Sequence, residues 1–239
     1  VLAAVGTALP ETMIPIIAIL FSANHGSDEV GIGAILGAPF MLATLAMFVT
    51  GAAVILRRRS RATGEAMAVS GSVLVHDLRV FAVAYAVAIG VAFLPADLHW
   101  PRWAVAVGLI GLYVFYVREH LQAEAGQGDP ELAPLRMHRL DRRAPAHPEH
   151  PRLRIVGVQV GFALACIVAG AYLFVGAVSR LALSIGADEA LLALIIAPIA
   201  TELPEKFNSV IWIRAGKDTL AMGNITGAMV FQSAIPTSV

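Results

Sequence analysis

The sequence predicts an all-α membrane protein that crosses the bilayer several times, and three observations carry that expectation. Of its 239 residues, 58% are hydrophobic and 14% charged, with a mean hydropathy of +0.75; a soluble domain averages about 25% charged. Charge is also unevenly placed, and stretches of about 20 residues carry almost none, which is the length a helix needs to cross hydrocarbon. Alternating ten-residue apolar strands are absent, which argues against an outer-membrane barrel. Seventeen basic and seventeen acidic residues cancel, so net charge points to no nucleic-acid partner. The single cysteine, Cys166, excludes an intrachain disulfide. The chain opens and closes within apolar runs and shows no signal peptide, so it reads as an internal fragment of a longer protein.

About seven apolar segments follow one another. The first covers residues 1–21 and is interrupted by Pro10, Glu11 and Pro15; the second covers about 31–56. After a stretch at 61–77 that reads as loop or membrane-surface segment come spans at about 78–94 and 103–117. Residues 118–154 are too polar to cross and carry five prolines, so they read as a loop. Spans at about 155–178 and 190–213 and a truncated last one from Thr219 complete the chain. The connections set the orientation. Arg57, Arg58, Arg59 and Arg61 lie in one, seven arginines in the 118–154 loop, and Arg214 and Lys217 in a third. The intervening connections at 22–30, 95–102 and 179–189 hold only Arg102 and Arg180. Basic and basic-poor connections alternate, so the positive-inside rule places the three arginine-rich ones in the cytoplasm.

The sequence also repeats itself. Thr7-Ala8-Leu9-Pro10-Glu11 recurs as Thr201-Glu202-Leu203-Pro204-Glu205, with four of five residues identical. Gly33-Ala34-Ile35-Leu36-Gly37-Ala38 recurs as Gly223-Asn224-Ile225-Thr226-Gly227-Ala228. The link within the first copy is assigned outside and that within the second inside, so the copies cross in opposite directions. Inverted repeats are characteristic of secondary transporters that bind substrate near the midplane. The organisation expected is therefore a first repeat at 1–56, connecting spans and loop at 57–153, and a second repeat at 154–239.

The repeated residues suit a cation. Proline lacks the backbone donor and clashes with the preceding turn, so Pro10 and Pro204 are expected to open each helix beside a carboxylate. Carbonyls freed there are tolerated at membrane depth where they line a protein-buried or wet site. Glu11 and Glu205 supply negative charge, and Thr7 and Thr201 lie one turn earlier on the same face. Carboxylate, hydroxyl and carbonyl oxygens are hard ligands that suit Ca²⁺ and, by the same argument, Na⁺. Gly33, Gly37, Gly223 and Gly227 form GxxxG patterns that let another helix approach closely.

These paired motifs resemble the two alpha-repeats of the sodium/calcium exchanger superfamily of cation antiporters. The resemblance covers roughly 1–56 and 190–239. It implies a ten-helix architecture, of which about seven spans are present, and alternating access. It further implies Ca²⁺ or Na⁺ coordination by Glu11 and Glu205 with help from Thr7 and Thr201. The sequence departs from the family's TSLPE or TSAPE form, with Ala8 and Glu202 at the serine position. At the family's Asn or Asp ligand positions stand Leu42 and Gln232, and Lys206 follows Glu205. Fewer neutral ligands, an added acid and a tethered ammonium make proton coupling or a single-ion site the more plausible expectation.

Several residues keep two readings. Glu202 is a ligand or proton carrier, or it neutralises Lys206 at i, i+4; Lys206 otherwise replaces a bound cation or snorkels to a polar cavity. Thr7 and Thr201 are ligands or bond back to their own helices. Asn224 and Gln232 are ligands or helix-packing groups. His76-Asp77-x-Arg79 reads as an interfacial anchor in preference to a proton relay, and His147 and His150 as part of a solvated loop. No P-loop, GxSxG or HExxH occurs, so the expectation is a transporter and not an enzyme. It needs no cofactor, moves Ca²⁺, Na⁺ or H⁺, and sits as a monomer in a bacterial inner membrane with lipid and small inorganic cations as partners. The alternatives are a Na⁺/H⁺ or other cation/H⁺ antiporter and, from a different class, a non-transporting membrane sensor.

Overall fold

The computed structural model describes residues 9–21, 27–95, 99–124 and 153–238, and every regular element among them is helical. Each of the seven apolar segments carries a helix. The first is α1, Leu9–Ile16, prolonged by a π-helical turn at Ile17–Phe21. The second is α2, Ser27–Met41, which passes through a π turn at Leu42–Ala46 into α3, Met47–Arg57. Then follow α4 (Gly71–Ala92), α5 (His99–Glu124), α6 (Leu153–Ile185), α7 (Glu189–Arg214) and α8 (Asp218–Ala234), ending in a 3₁₀ turn at Pro236–Ser238. Four of the described helical stretches, Asp28–Arg57, Gly71–Val91, Trp100–Gln122 and Leu153–Ile185, are long and apolar enough to cross a membrane.

Several helix ends lie beyond the sequence expectation, although the helix expected to reach 94 ends at Ala92. The helix expected from 78 starts at Gly71, the one expected to stop at 117 runs to Glu124, and the one expected to stop at 178 runs to Ile185. Hydropathy marks only the part of a helix that faces hydrocarbon, while the backbone continues helical into the interface until a stop signal arrives. For α6 and α7 the stop signals are glycines. Gly186 and Gly216 take positive φ, at 66° and 70°. Ala187 N donates to the Ala182 carbonyl and Lys217 N to that of Trp212, at 3.0 and 2.9 Å. Both closures are the six-to-one bond of a Schellman cap, which needs a left-handed residue that only glycine adopts without strain. After the first cap, Asp188 accepts from the Leu191 amide at 2.8 Å and starts α7.

Packing follows a membrane pattern. On α6 only Ala171, Val175, Val178, Ser179 and Ala182 are buried, a single helical stripe, while Phe162, Leu173 and Leu183 face outward. That stripe joins Ile14, Ile17, Ala18, Val30, Ala34, Ala193 and Ala197 in one core made by α1, α2, α6 and α7. Its deepest contact is between α2 and α7. A Cβ built on Gly33 would lie 2.2 Å from the Ala190 carbonyl oxygen, and one on Gly37 would lie 2.2 Å from that of Leu194. Pro198 stands four residues after Leu194 and has no N–H to give its carbonyl, so the helix turns toward Gly37 the carbonyl its own backbone cannot satisfy. The second-copy glycines differ: among the described residues a Cβ on Gly223 meets nothing within 4 Å, and one on Gly227 meets only Tyr116 Oη at 3.7 Å. Close approach therefore belongs to the first GxxxG, because α7 crosses there, and the expectation of tight packing at Gly223 is corrected.

At the arginine-rich end, the 58–70 connection is tied to the start of α8. Arg61 donates to both Asp218 carboxylate oxygens, at 2.9 and 2.6 Å, and to the Ile213 carbonyl at 3.0 Å. Ala68 N donates to Asp218 at 2.8 Å. Both side chains are buried. The hydrogen bonds from Arg61, aided by the Ala68 amide and by charge attraction, hold the Asp218 carboxyl below its ordinary range against the opposing effect of burial.

Two stability predictions follow from these contacts. Gly37→Ala lowers the melting temperature in detergent, because overpacking costs about 1–3 kcal/mol, whereas Gly223→Ala leaves it unchanged or raises it, by up to about 1 kcal/mol of helix propensity. Asp218→Asn destabilises the protein at neutral pH by about 3 kcal/mol, since it leaves Arg61 buried and unpaired. The sign of the pH dependence is fixed by the depressed carboxyl. Its stabilisation is present above the ordinary carboxylate range and is lost as pH falls through the folded value, so thermal melts of Asp218→Asn lack that acid-side decline.

Candidate cation site

The two ends of the described chain meet at a buried carboxylate. Glu11 lies in the first turn of α1 and is 5% exposed; Gln232 lies near the end of α8 and is 1% exposed. Gln232 Nε2 donates to Glu11 Oε2. The repeated TxLPE glutamate of the first copy and the departing glutamine of the second are thus in direct contact, 221 residues apart in sequence. Thr12 is buried beside Glu11, and Ser233 beside Gln232 donates to the Val230 carbonyl at 2.9 Å.

Local sequence explains the placement. Pro10 lies in α1 directly before Glu11. Pro15 lies inside the helix and removes the i+4 donor from the Glu11 carbonyl. The helix then widens into the π turn at Ile17–Phe21, a form of local unwinding frequent at functional sites. Pro39 precedes the second π turn, Leu42–Ala46, in the same way. On the other side, α8 is held by Phe231 against Tyr113 with ring centroids 5.4 Å apart. Leu42, at the first copy's ligand position, is fully buried with Ala46, Ile225, Ala228 and Met229. A polar first-copy partner is replaced there by apolar packing.

The remaining expected residues divide three ways. Glu202 is 3% exposed on α7. Thr201 is half-buried, and its hydroxyl donates back to the Ala197 carbonyl at 3.0 Å, which is the helix back-bonding alternative. Asn224 is half-buried on α8, two turns before Gln232. Thr7 and the side chains of Pro204, Glu205 and Lys206 lie outside the described residues. The backbone of α7 is continuous through Pro204, so the expectation that this proline opens the helix is corrected. A proline removes one donor and can be carried inside a helix where neighbouring elements support the turn.

Chemically, a carboxylate and a primary amide offer two kinds of hard oxygen. The amide NH₂ holds Glu11 while its own carbonyl oxygen remains an acceptor, so a cation entering here exchanges a hydrogen bond for coordination. Sequence reasoning missed Thr12 and Ser233, and took Pro15 only as an interruption of the first span. Adjacency to Glu11 and Gln232 was the available signal for the two hydroxyls, and spacing of four from Glu11 was the signal for the proline.

Compared with known proteins, the chain matches a family model described as sodium/calcium exchanger protein over residues 1–118 and 156–239. No curated protein and no solved structure matches it.

Gln232→Leu removes the amide from Glu11 with little change of volume. Equilibrium Ca²⁺ binding to the purified protein is expected to weaken about tenfold, the factor carried by one contact to a charged group.

Proposed function

We propose that this chain, which belongs to the sodium/calcium exchanger protein family, is a secondary active antiporter that moves Ca²⁺ against a Na⁺ or H⁺ gradient by alternating access. The observation that carries the reading is the contact between Glu11 and Gln232. It joins the motif glutamate of the first repeat to Gln232, which follows the glycine motif of the second, in a buried polar pair inside a multi-pass membrane protein. An acid at membrane depth is expensive and marks an ion pathway by default. Opposed repeats meeting at such a pair supply what alternating access requires, a fixed site with two halves that rock about it. Glu11 and Glu205 act in this reading as the charged ligands, with Gln232 and the threonine hydroxyls of the two motifs as neutral ones.

The buried Glu202 favours proton as the coupling ion over sodium. A second carboxylate at depth gives the protein a group that can exchange a proton while Glu11 holds the metal. The membrane inferred is a bacterial inner membrane, with the arginine-rich connections on the cytoplasmic side.

The test is ⁴⁵Ca²⁺ uptake into proteoliposomes holding the full-length protein, under separately imposed Na⁺ and pH gradients. Uptake under at least one gradient is expected. Glu11→Gln is expected to reduce it about a hundredfold, near the upper end of what one charged contact carries. Normal uptake by Glu11→Gln contradicts the site.

A further inference from the structure

Asp77 stands apart from the cation site and is 1% exposed. It sits in α4, where the sequence suggested an interfacial anchor, but the helix turns it inward toward α5 and α8. Three groups converge on its carboxylate. The Thr226 hydroxyl donates to Oδ2 at 2.5 Å, the Tyr116 hydroxyl donates to Oδ1 at 3.0 Å, and His120 Nε2 lies 3.3 Å from Oδ1.

His120 decides the chemistry. Its Nδ1 lies 3.1 Å from the Tyr116 carbonyl oxygen, which can only accept. That contact requires a proton on Nδ1. A neutral ring with its proton there turns the bare Nε2 lone pair toward a carboxylate, which repels. The two contacts are satisfied together in two ways. His120 is an imidazolium facing an ionised Asp77, or a neutral His120 accepts from a protonated Asp77. Each form holds one proton more than a neutral imidazole beside a carboxylate.

We propose that Asp77 and His120 form a proton-binding site, distinct from the cation site, that clamps α8 through Thr226 and so makes transport respond to cytoplasmic pH. Its position supports that exposure to the cytoplasm: α4 begins and α5 ends at the arginine-rich side. The charged and titratable neighbours lead outward. His76 on α4 is partly exposed and lies 3.4 Å from the exposed Glu119 on α5. Its ring stacks on Tyr116 at 6.0 Å and stands 5.9 Å from that of His120. Arg79 and Arg118 are exposed, and α8 brings no charged side chain to the pair. Thr226 belongs to the second copy's glycine motif and precedes Gln232 by six residues on the same helix. When the proton leaves, a buried carboxylate faces a lone pair and α4 and α5 loosen from α8. The link from this clamp to transport rests on the antiporter reading; the proton site does not.

The experiment is ¹⁵N-histidine NMR and infrared spectroscopy on the full-length protein in lipid, with His120 assigned by its loss in His120→Gln. Expected at neutral pH is an imidazolium at His120, or an Nδ1–H ring accompanied by a carboxylic-acid band that Asp77→Asn removes. An Nε2–H ring, or an Nδ1–H ring without that band, overturns the proton site. Asp77→Asn is isosteric with protonated Asp77: its carbonyl oxygen accepts from Thr226, and its NH₂ donates to His120 Nε2 and, with the direction of that bond reversed, to the Tyr116 hydroxyl oxygen. Its Ca²⁺ uptake is expected to match wild type on the acid side and to depart by about tenfold on the alkaline side; parallel pH profiles overturn the clamp. Should the spectra show the proton while the protein moves no Ca²⁺ under any gradient, the antiporter reading fails and the proton site stands.

Discussion

A carboxylate buried in a bilayer must find partners inside the protein, because hydrocarbon offers none. That constraint organises this molecule. Glu11 is met by Gln232 from the far end of the chain, so the first and last described helices have to be brought together through everything between them. The core of α1, α2, α6 and α7 places Glu11, and the aromatic contact between α5 and α8 places Gln232. A chain that misplaced either helix would separate the acid from Gln232.

Close helix approach serves the same end and draws on the same backbone chemistry. Where Pro198 deprives the Leu194 carbonyl of its helical donor, Gly37 comes close enough that a Cβ could not fit. Where Pro15 deprives the Glu11 carbonyl, the helix relaxes into a π turn. Each proline thus removes a hydrogen bond from its helix. At the arginine-rich edge, Arg61 and Asp218 show a different solution, with full charges paired in two parallel hydrogen bonds and joined by backbone groups.

Much of this was legible in the sequence because membrane solvation writes itself into composition. The apolar segments, the repeated TxLPE and GxIxGA motifs and the candidate Glu11 could be read from spacing and charge, whereas Gln232 entered only through the resemblance to the exchanger family. Helix ends could not, since a helix outruns its hydrophobic stretch until Gly186 or Gly216 stops it. Nor could the asymmetry between Gly37 and Gly223: identical local patterns differ only in whether another helix crosses them. Asp77 was misread as interfacial because its place near a basic connection says nothing of which way its helix faces. Its partners, Tyr116 and Thr226, lie 39 and 149 residues away, a separation that no local pattern reports.

The central claim is that Glu11 itself coordinates the transported ion. Infrared difference spectroscopy of the lipid-embedded protein, recorded with and without Ca²⁺, tests it most directly. A cation that replaces the Gln232 hydrogen bond shifts a carboxylate stretching band, and the account predicts a shift that vanishes in Glu11→Gln. An unchanged difference spectrum in that variant would mean that Ca²⁺ is held by other groups and that the contact with Gln232 is structural.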